Sequence, residues 1–228
     1  MDREGYQDDD EAGGPPVLRY VHHTGVVGQG HHGSNALWLR SAIIRGGWTL
    51  NRNTRADVRI VGGKFAGRDL TSPNDARVRP TAELVRVAML HALEADVKDA
   101  RVLDLFAGTG ALGLEALSLG AKFVDFVEIR PSSLHALKAN IALLRVLKKT
   151  RIFKRDALPF VAALEPDRYD IAFADPPYES RMLDRVIATW HERRFSRVLV
   201  VEHTRTHELP KGAWRRAFDD TIVTIYRA

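Results

Sequence analysis

A chain of 228 residues with 45% hydrophobic and 28% charged residues has the balance of a folded globular protein, long enough for one substantial domain and a small appendage. It contains no cysteine, which excludes disulfides, thiolate metal sites and cysteine nucleophiles, and no apolar run approaches the roughly 18 residues of a membrane helix. The net charge of +5 is uneven: Met1–Glu11 holds six acids against one base, which leaves +10 on the rest and favours a polyanionic partner.

No basic start leads into an apolar stretch, so no signal peptide is expected. A cytoplasmic protein with no membrane partner follows as the expectation. Residues 1–55 read as an extension, partly disordered, with a linker signal at Gly13-Gly14-Pro15-Pro16. His22, His23, His31 and His32 lie among glycines without a carboxylate or cysteine at ligand spacing, so no metal site is expected there. Ala36 to Ile44 has the pattern of a short helix.

Order is expected from Asp57. Val58 to Val61 and Arg68 to Leu70 are strand candidates around a Gly-Gly-Lys-Phe-Ala-Gly loop, which predicts a hairpin. Thr81 can cap a helix whose apolar face is Leu84, Val85, Ala88, Met89, Ala92 and Leu93. Strand and helix then alternate: strands at Val102–Phe106, Phe123–Val127, Arg151–Lys154, Ile171–Ala174 and Val198–Val201, with helices at Ala111–Leu119, Pro131–Leu147, up to Leu164 and from about Arg181 to Glu192. Trp214–Phe218 and Thr221–Tyr226 close the chain as a hairpin. This order predicts an α/β fold with a doubly wound, mostly parallel sheet and an antiparallel C-terminal edge. The expected division is residues 1–55 as extension, 56–97 as hairpin and helix, and 98–228 as the catalytic domain.

The first core strand runs into Asp104-Leu105-Phe106-Ala107-Gly108-Thr109-Gly110-Ala111-Leu112-Gly113. Gly108, Gly110 and Gly113 satisfy the dinucleotide fingerprint, with Glu128 at a suitable distance. Asp104 argues against a dinucleotide, since a carboxylate beside that turn repels a pyrophosphate. It suits S-adenosylmethionine, which brings an ammonium and a sulfonium. Candidate cofactor residues are therefore Asp104, Phe106, Ala107, Gly108, Gly110, Glu128 for the ribose hydroxyls, and Asp156 for the adenine amine. The acids stand at carboxyl ends of strands, where open parallel sheets bind ligands.

The fourth core strand ends in Asp175-Pro176-Pro177-Tyr178. Two prolines stiffen the turn and leave carbonyl acceptors without their donors. Asp175 and the Pro176 carbonyl can each accept a hydrogen bond from an exocyclic amine, and Tyr178 can stack on its base. An exocyclic amine is a poor nucleophile because its lone pair is delocalised into the ring. Holding both hydrogens localises that pair toward the methyl donor, and the base must be unstacked to enter such a pocket.

From residue 57 onward the chain resembles the bacterial 16S rRNA guanine-N2 methyltransferases of the RsmD type. The resemblance rests on Arg59-Ile60-Val61-Gly62-Gly63-Lys64 with Gly67-Arg68, Val78-Arg79-Pro80-Thr81 with Val85-Arg86, Asp104 to Leu117, and Asp175 to Tyr178. It implies a Rossmann-like class I methyltransferase fold with a small N-terminal β-hairpin element. It also implies S-adenosyl-L-methionine as cofactor and a guanine of small-subunit rRNA as substrate, within assembling or assembled particles. The hairpin, through Arg59, Lys64 and Arg68, would grip RNA, and Arg79 and Arg86 would flank the active-site mouth. Family members begin near the Arg-Ile-Val-Gly-Gly segment. The residues before it here are a lineage-specific tail or lie upstream of the start codon used.

The basic residues between Arg52 and Arg79 outnumber the acids by +4, and Lys148, Lys149, Arg151, Lys154 and Arg155 form a second cluster. Phosphate contacts from such groups give salt-dependent affinity without sequence choice. A monomer is expected. The alternatives are a DNA adenine-N6 methyltransferase, an NAD-dependent oxidoreductase on the same glycine fingerprint, and a non-catalytic RNA-binding factor.

Overall fold

The computed structural model describes residues 58–73, 83–176 and 181–228, all within one compact unit. The expectations for residues 1–55, the Thr81 cap, Arg79, Pro177 and Tyr178 lie outside the described residues.

The N-terminal hairpin pairs β1 (Val58–Arg59) with β2 (Asp69–Leu70), Val58 opposite Leu70. The Gly63–Phe65 turn between them is a 3-10 turn, and the Ile60 amide donates to the Arg68 carbonyl at 2.9 Å to close it. Helix α1 (Glu83–Ala92) follows, then the short α2 (Glu94–Val97). The rest alternates: β3 (Arg101–Leu105), α3 (Ala111–Ser118), β4 (Phe123–Val127), α4 (Pro131–Leu143), β5 (Thr150–Phe153), α5 (Ala157–Ala162), β6 (Tyr169–Ala174), α6 (Met182–Arg193) and β7 (Ser196–Thr204). The chain ends with β8 (Trp214–Phe218) and β9 (Thr221–Arg227).

The seven-stranded sheet has the order β5-β4-β3-β6-β7-β9-β8. The first five strands in that order are parallel, and β9 and β8 form the antiparallel edge. Winding reverses between β3 and β6, the switch point where open α/β sheets take their ligands.

Both faces of the sheet are covered, which explains apolar runs in place of a polar–apolar alternation. Val102, Phe126, Phe173 and Val200 join one buried cluster with α1, α3, α4 and the hairpin residues Val58, Ile60 and Leu70. Leu103, Leu105, Ala172, Leu199 and Val201 point the other way, onto Val161 of α5 and Leu183, Val186, Ile187 and Trp190 of α6. Those α6 residues recur at helical spacing, and the Trp190 indole donates to the Ser196 carbonyl at 2.8 Å.

Two boundaries differ from the sequence reading by more than two residues. The second core helix stops at Leu143, not Leu147, because Arg145 adopts a left-handed conformation (φ 56°) that turns Val146 into the core and leaves Leu147 exposed. Strand β7 runs to Thr204, well past Val201, because Glu202, His203 and Thr204 stay in register with β9.

Candidate active site

Asp104 is the fourth residue of β3, and alternation puts it on the same face as Val102. It is 3% exposed, and its Oδ2 accepts the Gly113 amide at 2.9 Å. Gly113 lies in the first turn of α3, so the carboxylate occupies one of the amides with which a helix N-terminus binds phosphate. Burial holds the Asp104 carboxyl well above the ordinary carboxylate range, and the nearby charges of Asp175 and Glu128 push the same way. An incoming cation favours the charged form, whereas a pyrophosphate adds to the repulsion.

The loop between β3 and α3 turns at Phe106 (φ 61°), and the Ala107 amide donates to the Val127 carbonyl at 3.0 Å. Gly110 caps the helix in a left-handed conformation (φ 80°), and a Cβ there would strike the Leu137 side chain. Gly113 is needed for a different reason: its Cβ would lie 2.5 Å from the Phe126 ring, so the glycine lets α3 sit down on β4.

Glu128 follows β4 immediately and is 4% exposed. Its Oε2 accepts the Gly108 amide at 2.9 Å, and Oε1 accepts those of Ile129 and Arg130 at 2.7 and 2.8 Å. The carboxylate is thereby fixed against the loop. Asp156 caps α5, its Oδ1 accepting the Leu158 amide at 3.0 Å.

Asp175 and Pro176 follow β6 directly. Ala174 pairs with Val201, the last β6–β7 pair, so Asp175 leaves the sheet where β7 continues into Glu202. Sequence reasoning missed Glu202, which is 5% exposed and whose charge reaches the buried Arg86. The signal was a carboxylate closing the apolar run 198–201. Asp104 lies in β3 and Glu202 in β7, while Glu128 and Asp175 directly follow β4 and β6, so the four acids come from four neighbouring strands or the turns that leave them.

The hairpin is mounted on α3 by polar residues that the sequence did not single out. Glu115 is 1% exposed, and its Oε1 accepts the Val61 and Gly62 amides at 2.8 and 2.7 Å. The Ser118 hydroxyl donates to the Gly62 carbonyl and accepts the Phe65 amide, at 2.5 and 2.8 Å. Arg86, expected to flank the active-site mouth, is 2% exposed, donates to the Arg59 carbonyl at 2.6 Å, and lies 3.9 Å from Glu115, so it braces the hairpin from within. Glu115→Ala is expected to cost about 3–5 kcal/mol, because it strips a buried cation and two amides of their carboxylate. Urea denaturation measures this, and a loss below about 1 kcal/mol would show that the hairpin is held by other contacts.

The other candidate RNA residues of the hairpin are on its surface. Lys64 and Arg68 are exposed, and Arg59 pairs across the hairpin with Asp69 at 2.8 Å. In the second basic cluster Arg151 is committed elsewhere: its guanidinium grips buried Asp125 at 2.8 and 2.6 Å, and the Tyr169 hydroxyl donates to the same carboxylate at 2.7 Å. Among the described residues no group of three or more histidines and acids could hold a metal ion, and no helix is long and apolar enough to cross a membrane.

Residues 58–223 match the model of a family described as conserved hypothetical protein 95. Ribosomal RNA small subunit methyltransferase D of Escherichia coli (strain K12) is 35% identical over 137 residues, 60% of this chain and 68% of that protein. The putative rRNA methyltransferase YlbH of Bacillus subtilis (strain 168) is 30% identical over 159 residues, 68% of this chain and 86% of its own length. Among solved structures, the putative methyltransferase yhhF of Escherichia coli aligns with a TM-score of 0.66 at 29% identity, covering 75% of this chain and 98% of its own.

Proposed function

Because the chain belongs to the RsmD-type methyltransferase family, described as conserved hypothetical protein 95, we propose that it methylates the exocyclic N2 of a guanine in small-subunit rRNA with S-adenosyl-L-methionine as cofactor. The guanine we propose as target is that at position 966 of 16S rRNA. The observation that carries the proposal is the buried Asp104 carboxylate seated on the Gly113 amide at the head of α3, with Asp175 ending the adjacent strand.

When bound, the cofactor supplies a methyl group on a sulfonium that departs as a neutral thioether. Asp104 balances its positive charge, and Glu128, already fixed by three amides, accepts from its ribose. Asp156 turns its carboxylate toward the adenine amine, and Phe106, Ala107, Gly108 and Gly110 shape the loop around it. Asp175 and the Pro176 carbonyl would each accept a hydrogen bond from the amine of the base, which localises the nitrogen lone pair toward the methyl group; as the N–C bond forms and the C–S bond breaks, the one proton that nitrogen loses would pass to the Asp175 carboxylate. Pro177 and Tyr178 complete the motif, Tyr178 in the proposed role of stacking on the ring. The chain's part is alignment and electrostatics, with no covalent intermediate. Lys64, Arg68 and Arg59 of the hairpin, and Arg79, contact the RNA backbone and add no base choice of their own.

The test is methyl transfer from labelled cofactor to small-subunit particles, naked rRNA and duplex DNA, followed by mass mapping of the product. Label on a guanine N2 in small-subunit rRNA is expected. Label confined to adenine in DNA would instead identify a DNA adenine-N6 enzyme.

A further inference from the structure

We infer that Asn140 of α4 is a positioning residue that couples the hairpin's grip on RNA to the seat of the methyl donor. This rests on the function proposed above. Asn140 is fully buried, next to the buried apolar residues Leu137 and Ile141 of the same helix. A carboxamide placed there is costly unless its donors and acceptor are used.

All three of its bonds go to backbone groups far away in sequence. Its Oδ1 accepts the Thr71 amide at 2.7 Å, and its Nδ2 donates to the Thr71 carbonyl at 3.0 Å. The side chain therefore meets the peptide of residue 71 as a neighbouring β-strand would, fixing the chain immediately after β2. The same Nδ2 donates to the Thr109 carbonyl at 3.0 Å. Thr109 stands between Gly108 and Gly110, in the loop that holds Asp104's partner helix and receives the Glu128 carboxylate.

One amide group thus ties the base of the RNA-facing hairpin to the middle of the cofactor loop. Any shift of the loop on donor binding changes the Thr109 bond, and the change passes through a rigid carboxamide to Thr71. Ordering either end lowers the cost of ordering the other, which is positive coupling between two ligands and is reciprocal. The Glu115 mount holds the hairpin to α3 but has no bond to the loop itself, so it does not replace this link.

The probes are S-adenosylhomocysteine and small-subunit particles from cells that lack this enzyme. Equilibrium dialysis of labelled S-adenosylhomocysteine, with and without saturating particles, gives the coupling factor. The wild-type protein is expected to bind it about fivefold or more tightly when particles are present. Asn140→Asp keeps the shape and the acceptor for the Thr71 amide but loses both donors, and is expected to bring the factor close to one. Asn140→Ala should do the same, and Thr71→Ala, which leaves the backbone groups in place, should keep the wild-type factor. A purely structural role would lower melting temperature and both affinities without altering their mutual dependence. An Asp variant that keeps the wild-type factor overturns the inference, as does an active wild-type protein with no coupling. A wild-type protein that neither binds S-adenosylhomocysteine nor methylates particles overturns the functional proposal, and this inference with it.

Discussion

Asp175→Ala is expected to slow methyl transfer by about 100- to 1,000-fold while cofactor affinity is kept. The carboxylate directly follows β6 and is close enough to Asp104 to raise its pKa. Its proposed work is on the acceptor: it takes a hydrogen from the exocyclic amine and stabilises the positive charge that grows on nitrogen as the methyl group arrives. Alanine removes an interaction that strengthens in the transition state, so the loss appears in the rate of a single turnover. Removing a negative neighbour also eases ionisation of Asp104, which gives no reason for the donor to bind less well. Single-turnover transfer beside S-adenosylhomocysteine titration separates the two effects. An unimpaired rate would remove Asp175 from the mechanism.

Asp104→Asn is expected to weaken S-adenosylmethionine binding by roughly 10- to 100-fold, the worth of a lost charge-assisted contact, without destabilising the unliganded protein. The carboxamide oxygen can still accept the Gly113 amide, and the buried charge is gone. The pH dependence follows from the raised pKa. Unliganded folded protein binds a proton at Asp104 more readily than unfolded protein does, so this residue's contribution to stability is full at low pH. It is lost as pH rises from the ordinary carboxylate range through the raised value. The cationic donor binds the ionised form, so its affinity rises with pH over that same window, with a proton released. In the Asn variant both dependences vanish. Thermal melts and calorimetric titration across pH check this, and a variant less stable than wild type at neutral pH would show that the Asp104 charge serves the fold.

The sheet was legible because its strands are buried on both sides and appear as short apolar runs between helical patterns. The rim was legible for a related reason: a carboxylate that closes such a run, as Glu128 and Asp175 do, or interrupts it just before the glycine turn, as Asp104 does, demands an explanation other than packing. Polar residues inside helices carried no such sign. Nothing in the sequence marks Asn140 and Glu115 as buried, and their partners Thr71 and Gly62 lie 69 and 53 residues away, a pairing that only the docked hairpin creates. The burial of Arg86 was hidden for the same reason. Its cation suggested a surface, whereas the Arg59 carbonyl and Glu115 receive it inside. The early end of α4 was hidden because Leu144, Val146 and Leu147 continue an apolar pattern that the backbone turn at Arg145 redirects.

Calorimetric titration of the unliganded protein with S-adenosylmethionine, S-adenosylhomocysteine and NAD tests most directly whether the acid on β3 is there to meet a cation. Micromolar or tighter binding of both sulfur compounds, with no heat from NAD, is the predicted result. Binding of NAD with none of either sulfur compound would contradict it.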